Sequence, residues 1–186
     1  MKDITRKKYL FFGAGRIIKI KGCHLLIEAL LQIKYQGQIL IVGDINQDST
    51  YKKYLLEKSQ GLDINFLGLI RDKTQLLKLI AESQLFIFPS LMEAMSMMLL
   101  EAASVKASII CSDIQSNRDI FNNDEVLFFR SEDKGDLAEK INFALNNTEK
   151  MNEIANNAYE KVYMKYRWDI IAKEYSRLYN NLINHS

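Results

Sequence analysis

The chain has 186 residues, 48% of them apolar and 26% charged, with a formal net charge of +2. That length suits one well-buried domain rather than two, the composition is that of an ordinary soluble globular protein, and the charge balance gives no sign of a nucleic-acid binder. The most apolar stretch, residues 84–100, is broken by Pro89 and Glu93 and cannot cross a membrane, and a polar start with a short first apolar run gives no expectation of a leader segment.

Cys23 and Cys111 lie far apart in apolar surroundings, which predicts buried thiols in a reducing compartment. The histidines, His24 and His185, make no metal-ligand spacing with them, so no metal site is expected. Residues 1–8 hold Lys2, Arg6, Lys7 and Lys8 against Asp3 and read as a solvated basic tail ahead of a domain over 9–186.

Residues 9–12 read as a first strand, closed by a glycine turn at Gly13-Ala14-Gly15. Helical spacing follows over 23–34 through Leu26, Ile27, Leu30, Leu31 and Ile33. Gly37 turns the chain into a second strand, 38–42, and residues 51–60 are helical with Gly61 as the stop. A third strand, 64–67, ends at Gly68. Asp72 caps a helix over 74–83, and the fourth strand, 85–88, closes at Pro89. A helix over 97–106, strands at 108–111 and 126–129, and helices over 133–147, 149–165 and 168–183 complete the pattern. Nearly all-apolar strands alternating with helices imply a doubly wound, Rossmann-like α/β domain, a parallel sheet of about six strands covered on both faces.

Such sheets bind ligands beyond the carboxyl ends of their strands. After the first strand come Gly13-Ala14-Gly15-Arg16 and Lys19-Ile20-Lys21-Gly22. Glycine lets a ligand approach the backbone, and a guanidinium with an ammonium near a helix N-terminus suits a diphosphate. Two alternatives stand beside this. One is a dinucleotide fingerprint, whose third glycine falls on Ile18 and whose ribose-binding acid about 20 residues on is missing. The other is a plain strand-to-helix turn with surface cations.

After the fourth strand, Glu93 lies in the loop and Glu101 one turn inside an apolar helix. Eight residues return to nearly the same helix side, so both carboxylates can face one crevice. A glutamate in an apolar run needs a partner: ribose hydroxyls for Glu101, or simply a lysine. The amides of Ser96 to Met98 suit an anion. Met95, Met97 and Met98 are expected in core packing. Asp113 either lines the crevice or serves a turn, and residues 66–70 either offer backbone groups to a flat base or form a turn. His24 reads as a helix residue rather than a catalyst. The last helix carries an apolar stripe through Trp168, Ile171, Ala172, Tyr175, Leu178, Tyr179 and Leu182, a face to be buried on this domain or on another.

Taken in order, Gly-Arg-x4-Lys-Gly, Ile-Val-Gly-Asp, Phe-Leu-Gly, Pro-Ser-x2-Glu-x7-Glu-Ala and Cys-Ser-Asp-Ile, followed by an aromatic-rich helix, resemble the C-terminal domain of retaining GT-B glycosyltransferases of family 4 ("glycosyl transferases group 1"). The resemblance runs from about Tyr9 to the end. It implies that Arg16 and Lys21, with Ser96 and Met97, bind a donor diphosphate. Glu93 would be the catalytic candidate beside the donor sugar, with Ala94 and Met95. Glu101 would hold the ribose, while Gly68, Leu69 and Ile70 would meet the base. The substrate so implied is a nucleoside-diphosphate hexose of UDP or GDP type, with no metal or other cofactor. The acceptor would be a saccharide or a lipid-linked saccharide in polysaccharide biosynthesis. The setting would be cytoplasmic, extending to the inner membrane face through peripheral association of the full-length enzyme.

Many relatives have Gly-x-Gly after the first glutamate. Here Ala94 and Ser96 stand there, and they resist positive φ. Lys106 and Ser108 replace a usual Gly and Pro, a change expected to be structural. A complete GT-B enzyme also has an N-terminal acceptor domain that a chain of this size leaves out, so this half alone is expected to bind donor weakly and transfer little or nothing. The rivals are a GT-B sugar-nucleotide epimerase and a non-catalytic nucleotide-sugar-binding module that pairs with a separate acceptor subunit. An oxidoreductase fits least.

Overall fold

Residues 9–184 are described by the computed structural model; the tail at 1–8 and His185 lie outside them. The apolar runs form six strands: β1 (Tyr9–Arg16), β2 (Gln38–Asp44), β3 (Asp63–Gly68), β4 (Leu85–Phe88), β5 (Ile109–Ser112) and β6 (Leu127–Phe129). They pair in the order β3-β2-β1-β4-β5-β6, every pairing parallel. The helices are α1 (Cys23–Gln32), α2 (Ser49–Lys58), α3 (Lys73–Glu82), α4 (Met97–Ser104), α5 (Gln115–Arg118), α6 (Lys134–Asn146), α7 (Thr148–Lys165) and α8 (Trp168–Asn184).

Strand alternation sends successive side chains to opposite faces, and β1 makes the two cores visible. Leu10 and Phe12 join a cluster with Leu26, Leu30 and Ile141 of α1 and α6. Phe11 joins Phe86, Leu99, Ala103 and Ala158 on the side of α4 and α7. Both faces being buried is what makes the strands nearly continuously apolar. Strand order reverses between β1 and β4, and there a doubly wound sheet opens a crevice at its carboxyl edge.

Three aspartates start helices by accepting from first-turn amides: Asp48 from Tyr51, Asp72 from Thr74 and Gln75, and Asp133 from Asp136. Lys106 holds φ +56, the left-handed backbone that explains why glycine is usual at this place; its ammonium lies 4.6 Å from the Tyr159 ring centroid. Cys23 and Cys111 are free and buried, as expected. No helix among the described residues is long and apolar enough to cross a membrane.

One expectation needs correction, and one open alternative is decided. Gly13-Ala14-Gly15 is not a turn: β1 continues through it to Arg16, paired with Gly13 opposite Val42 and Arg16 opposite Asp44 across a register shift. The turn comes later, at a 3-10 helix over Lys19–Lys21 and at Gly22, which has φ +71. The apolar stripe of α8 is not buried within this domain. Trp168, Tyr175, Leu178, Tyr179 and Leu182 are all exposed, because α8 leaves the sheet and meets the domain chiefly through α7.

Candidate functional site

The ends of β1 and β4 converge on a cleft of about 270 Å³, lined by Gly13 to Gly15, Lys21, Lys73, Phe88, Glu93, Met95 to Met98 and Glu101. It occupies the point where strand order reverses. Lys21 is brought there by the 3-10 turn, which is pinned to the loop after β4. Leu91 N–H donates to the Ile20 carbonyl at 2.8 Å, and Gly22 lies so close to Pro89 that a Cβ would strike the Pro89 carbonyl oxygen.

The result is an ion pair between segments 72 residues apart: Lys21 Nζ donates to Glu93 Oε1 at 2.7 Å. Ser90 Oγ donates to the same oxygen at 2.7 Å. With side-chain exposures of 24% for Lys21 and 13% for Glu93, the pair is shielded enough to fix geometry while Lys21 stays reachable from the cleft. Glu93 is therefore no free surface acid. Glu101, one turn inside α4, faces the same cleft and forms an ion pair with Lys73 Nζ at 2.6 Å. So the two carboxylates do share one crevice, and each holds a lysine. Two cations and two anions leave this wall formally neutral, with the N-terminus of α4 completing it. An incoming polyanion can take over both ammonium groups and the helix end, freeing carboxylates to accept from hydroxyls.

Other sequence-predicted residues fall as follows. Arg16 follows Gly15 at the end of β1 with its side chain exposed, and it is not part of the cleft lining. Ala94 is exposed, and Ser96 is buried at φ −83; neither residue adopts positive φ, so the loop forms without the strain that the Gly-x-Gly comparison raised. Met95 and Met97 are exposed in the cleft wall, which overturns their assignment to core packing. They occupy the loop and first turn of α4, outside its buried stripe, and only Met98 packs against the core. Gly68, Leu69 and Ile70 do not line the cleft; Ile70 packs against the core and Leu69 is exposed. Asp113 serves the β6 end instead, accepting from Ser131 N–H at 2.8 Å.

Four residues escaped the sequence reading. Lys73 begins α3, which neighbours α4 on the same face of the sheet, and reaches Glu101 only through topology. Ser90, Ser112 and Asn117 form a buried polar relay beneath the cleft. Ser90 and Ser112 stood in the motifs Pro-Ser-x2-Glu and Cys-Ser-Asp-Ile but with no role of their own, and Asn117 had only its polarity, ordinary in a turn.

A larger concavity of about 510 Å³ lies between α1 and α2, lined by Lys19, His24, Asp48, Thr50, Tyr51 and Tyr54. His24, Asp48, Tyr51 and Tyr54 are already engaged there. His24 Nδ1 lies 2.9 Å from Tyr51 Oη, and Asp48 caps α2. Burial lowers the His24 pKa, which suits a helix residue kept neutral. The smaller cleft, where two ion pairs and a helix N-terminus converge at the point where strand order reverses, is the better candidate.

Comparison with known proteins bears on family and fold. Residues 2–161 match the family model described as "Glycosyl transferases group 1". The chain is 25% identical over 178 residues to the N,N'-diacetylbacillosaminyl-diphospho-undecaprenol alpha-1,3-N-acetylgalactosaminyltransferase of Campylobacter jejuni, covering 95% of this chain and 46% of that protein. The structure of HepE from Anabaena in complex with UDP superposes with a TM-score of 0.85 at 20% identity, over 95% of this chain and 50% of that one; at that identity the likeness is one of fold. The C-terminal domain of the group 1 family protein LpcC from Francisella tularensis superposes at 0.76 with 25% identity, over 86% and 87% of the two chains. The chain spans about half the length of the curated relatives it matches.

Proposed function

This chain belongs to the glycosyl transferases group 1 family, and on that premise we propose that it supplies the donor-binding half of a retaining glycosyltransferase. The reaction moves a hexose from a UDP- or GDP-type nucleoside-diphosphate sugar to a saccharide or lipid-linked acceptor. The observation that carries this reading is the convergence of Lys21, Glu93, Glu101 and the α4 N-terminus on one cleft where strand order reverses.

In this reading Lys21 exchanges Glu93 for the donor diphosphate, joined by exposed Arg16 swinging in from the end of β1 and by amides at Ser96 and Met97. Their positive charge stabilises the leaving diphosphate as its bond to the anomeric carbon breaks, so no metal is called for. Glu93, released from Lys21 but held by Ser90, lies beside the sugar with Ala94 and Met95. Glu101 accepts from the ribose hydroxyls. Gly68, Leu69 and Ile70, outside the cleft lining, offer backbone groups to the base. The domain over 9–186 then works against an acceptor domain, which the relatives of about twice its length leave room for. The setting is cytoplasmic, with peripheral membrane association of the full-length enzyme, and the isolated half transfers little or no sugar. A thermal-shift panel of UDP, GDP, ADP and their sugars tests the donor class. A rise in melting temperature with UDP or GDP compounds supports it, and no rise with any member removes it.

A further inference from the structure

Beneath the cleft, one buried asparagine joins both ends of the loop that carries Glu93. Asn117 is 0% exposed. Its Nδ2 donates to the Ser112 carbonyl at 2.9 Å and reaches Ser112 Oγ at 3.2 Å, while its Oδ1 accepts from Ser96 Oγ at 2.5 Å. Ser112 Oγ in turn donates to the Ser90 carbonyl, and Ser90 Oγ donates to Glu93 Oε1. The loop is thus anchored at Ser90 and at Ser96. Between these anchors Leu91 packs against the core and is tied to Ile20, while Met92, Ala94 and Met95 are exposed, so the stretch from Met92 to Met95 depends on the polar anchors at its two ends.

Ser96 adds a second observation. An N-cap serine usually accepts from an amide in the first turn of its helix. Ser96 is the N-cap of α4, yet it makes no side-chain cap bond; its hydroxyl turns down into Asn117 instead. Holding that hydroxyl away leaves the cleft-facing end of α4 uncapped by its own serine.

We infer that Asn117 is a positioning residue for the donor site, acting through Ser96 and Ser112 to set the Glu93 loop and the start of α4 in one geometry. This rests on the donor reading above only for its functional consequence. The geometry is legible without ligand.

The test pairs hydrogen exchange with titration of UDP and GDP, on wild type, Asn117→Ala and Asn117→Asp. In Asn117→Ala, amides of residues 90–98 are expected to exchange about tenfold faster while those of α6 and α7 keep their rates. The better-bound of the two nucleotides is expected to weaken about tenfold. In Asn117→Asp the carboxylate has no donor for Ser112, and the defect should shrink between about pH 8 and pH 5.5 as the carboxyl regains a proton to donate. Ser112→Ala, which removes the link to Ser90 and the 3.2 Å contact to Asn117 but keeps the Asn117 bond to the Ser112 carbonyl, serves where Asn117→Ala does not fold. Unchanged exchange over 90–98, or acceleration spread evenly over the whole sheet, overturns the inference. If wild type binds neither nucleotide, the donor reading falls, and the exchange pattern still decides the role of Asn117.

Discussion

A single methyl group at Gly22 is expected to damage fold and site together. Gly22 sits at φ +71, between the turn carrying Lys21 and the first residue of α1. An L-residue in that left-handed conformation costs about 1–2 kcal/mol. A Cβ there would also overlap the Pro89 carbonyl and approach Pro89 Cβ at 3.2 Å. The obstacle is backbone, and the hydrogen bond from Leu91 N–H to the Ile20 carbonyl stops the loop from swinging aside. Forcing atoms into a close-packed contact of this kind costs about 1–3 kcal/mol more. Gly22→Ala is therefore expected to lose about 2–5 kcal/mol, a large share of the ~5–15 kcal/mol that holds a domain folded. Gly61→Ala is the control. It has φ +89 with nothing within 4 Å of the added Cβ, and so carries the backbone cost alone. Urea unfolding of the three proteins reads the difference. The reasoning fails if Gly22→Ala is no less stable than Gly61→Ala.

Three further outcomes follow from burial and charge. Burial, reinforced by Lys19 and opposed by Glu28, lowers the His24 pKa from 6.5. The unfolded chain therefore takes the proton more readily, so the contribution of His24 is present above 6.5 and lost as the pH falls through its folded value. His24→Gln should flatten the stability profile on the acid side of neutrality, as read by unfolding midpoints in a pH series. Trp168 is the single tryptophan and is 79% exposed; acrylamide should quench the folded chain nearly as well as the unfolded one, and a shielded Trp168 would contradict the placement of α8. Burial pushes the thiols of Cys23 and Cys111 well up, so an aromatic disulfide reagent should report both only after unfolding, and rapid labelling of the native chain would oppose this core.

The strands and their order of chemistry were readable because a sheet buried on both faces leaves an unmistakable mark: short apolar runs separated by helices of amphipathic period. Glu93 and Glu101 were readable for the same reason, as charges inside an apolar run that needs them satisfied. Gly13-Ala14-Gly15 misled because two glycines look like a turn, whereas neighbouring strands can hold them extended. Met95 and Met97 misled because methionine is core-like on average, and only the start of α4 decides that they face the cleft. Lys73 and Asn117 could not be found by spacing. Each reaches the site from a different βα unit, and no period or charge pattern within its own segment records the crossing. The exposed stripe of α8 was legible as a stripe; what the sequence did not convey is that α8 turns away from the sheet.

The central claim is a donor site built on Lys21 and Glu101, and calorimetric titration of UDP and GDP tests it most directly. At least one nucleotide is expected to bind the wild-type chain, with Lys21→Ala and Glu101→Ala each weakening it about tenfold or more, as loss of a charge-assisted contact requires. The same affinity in both variants as in wild type would contradict it.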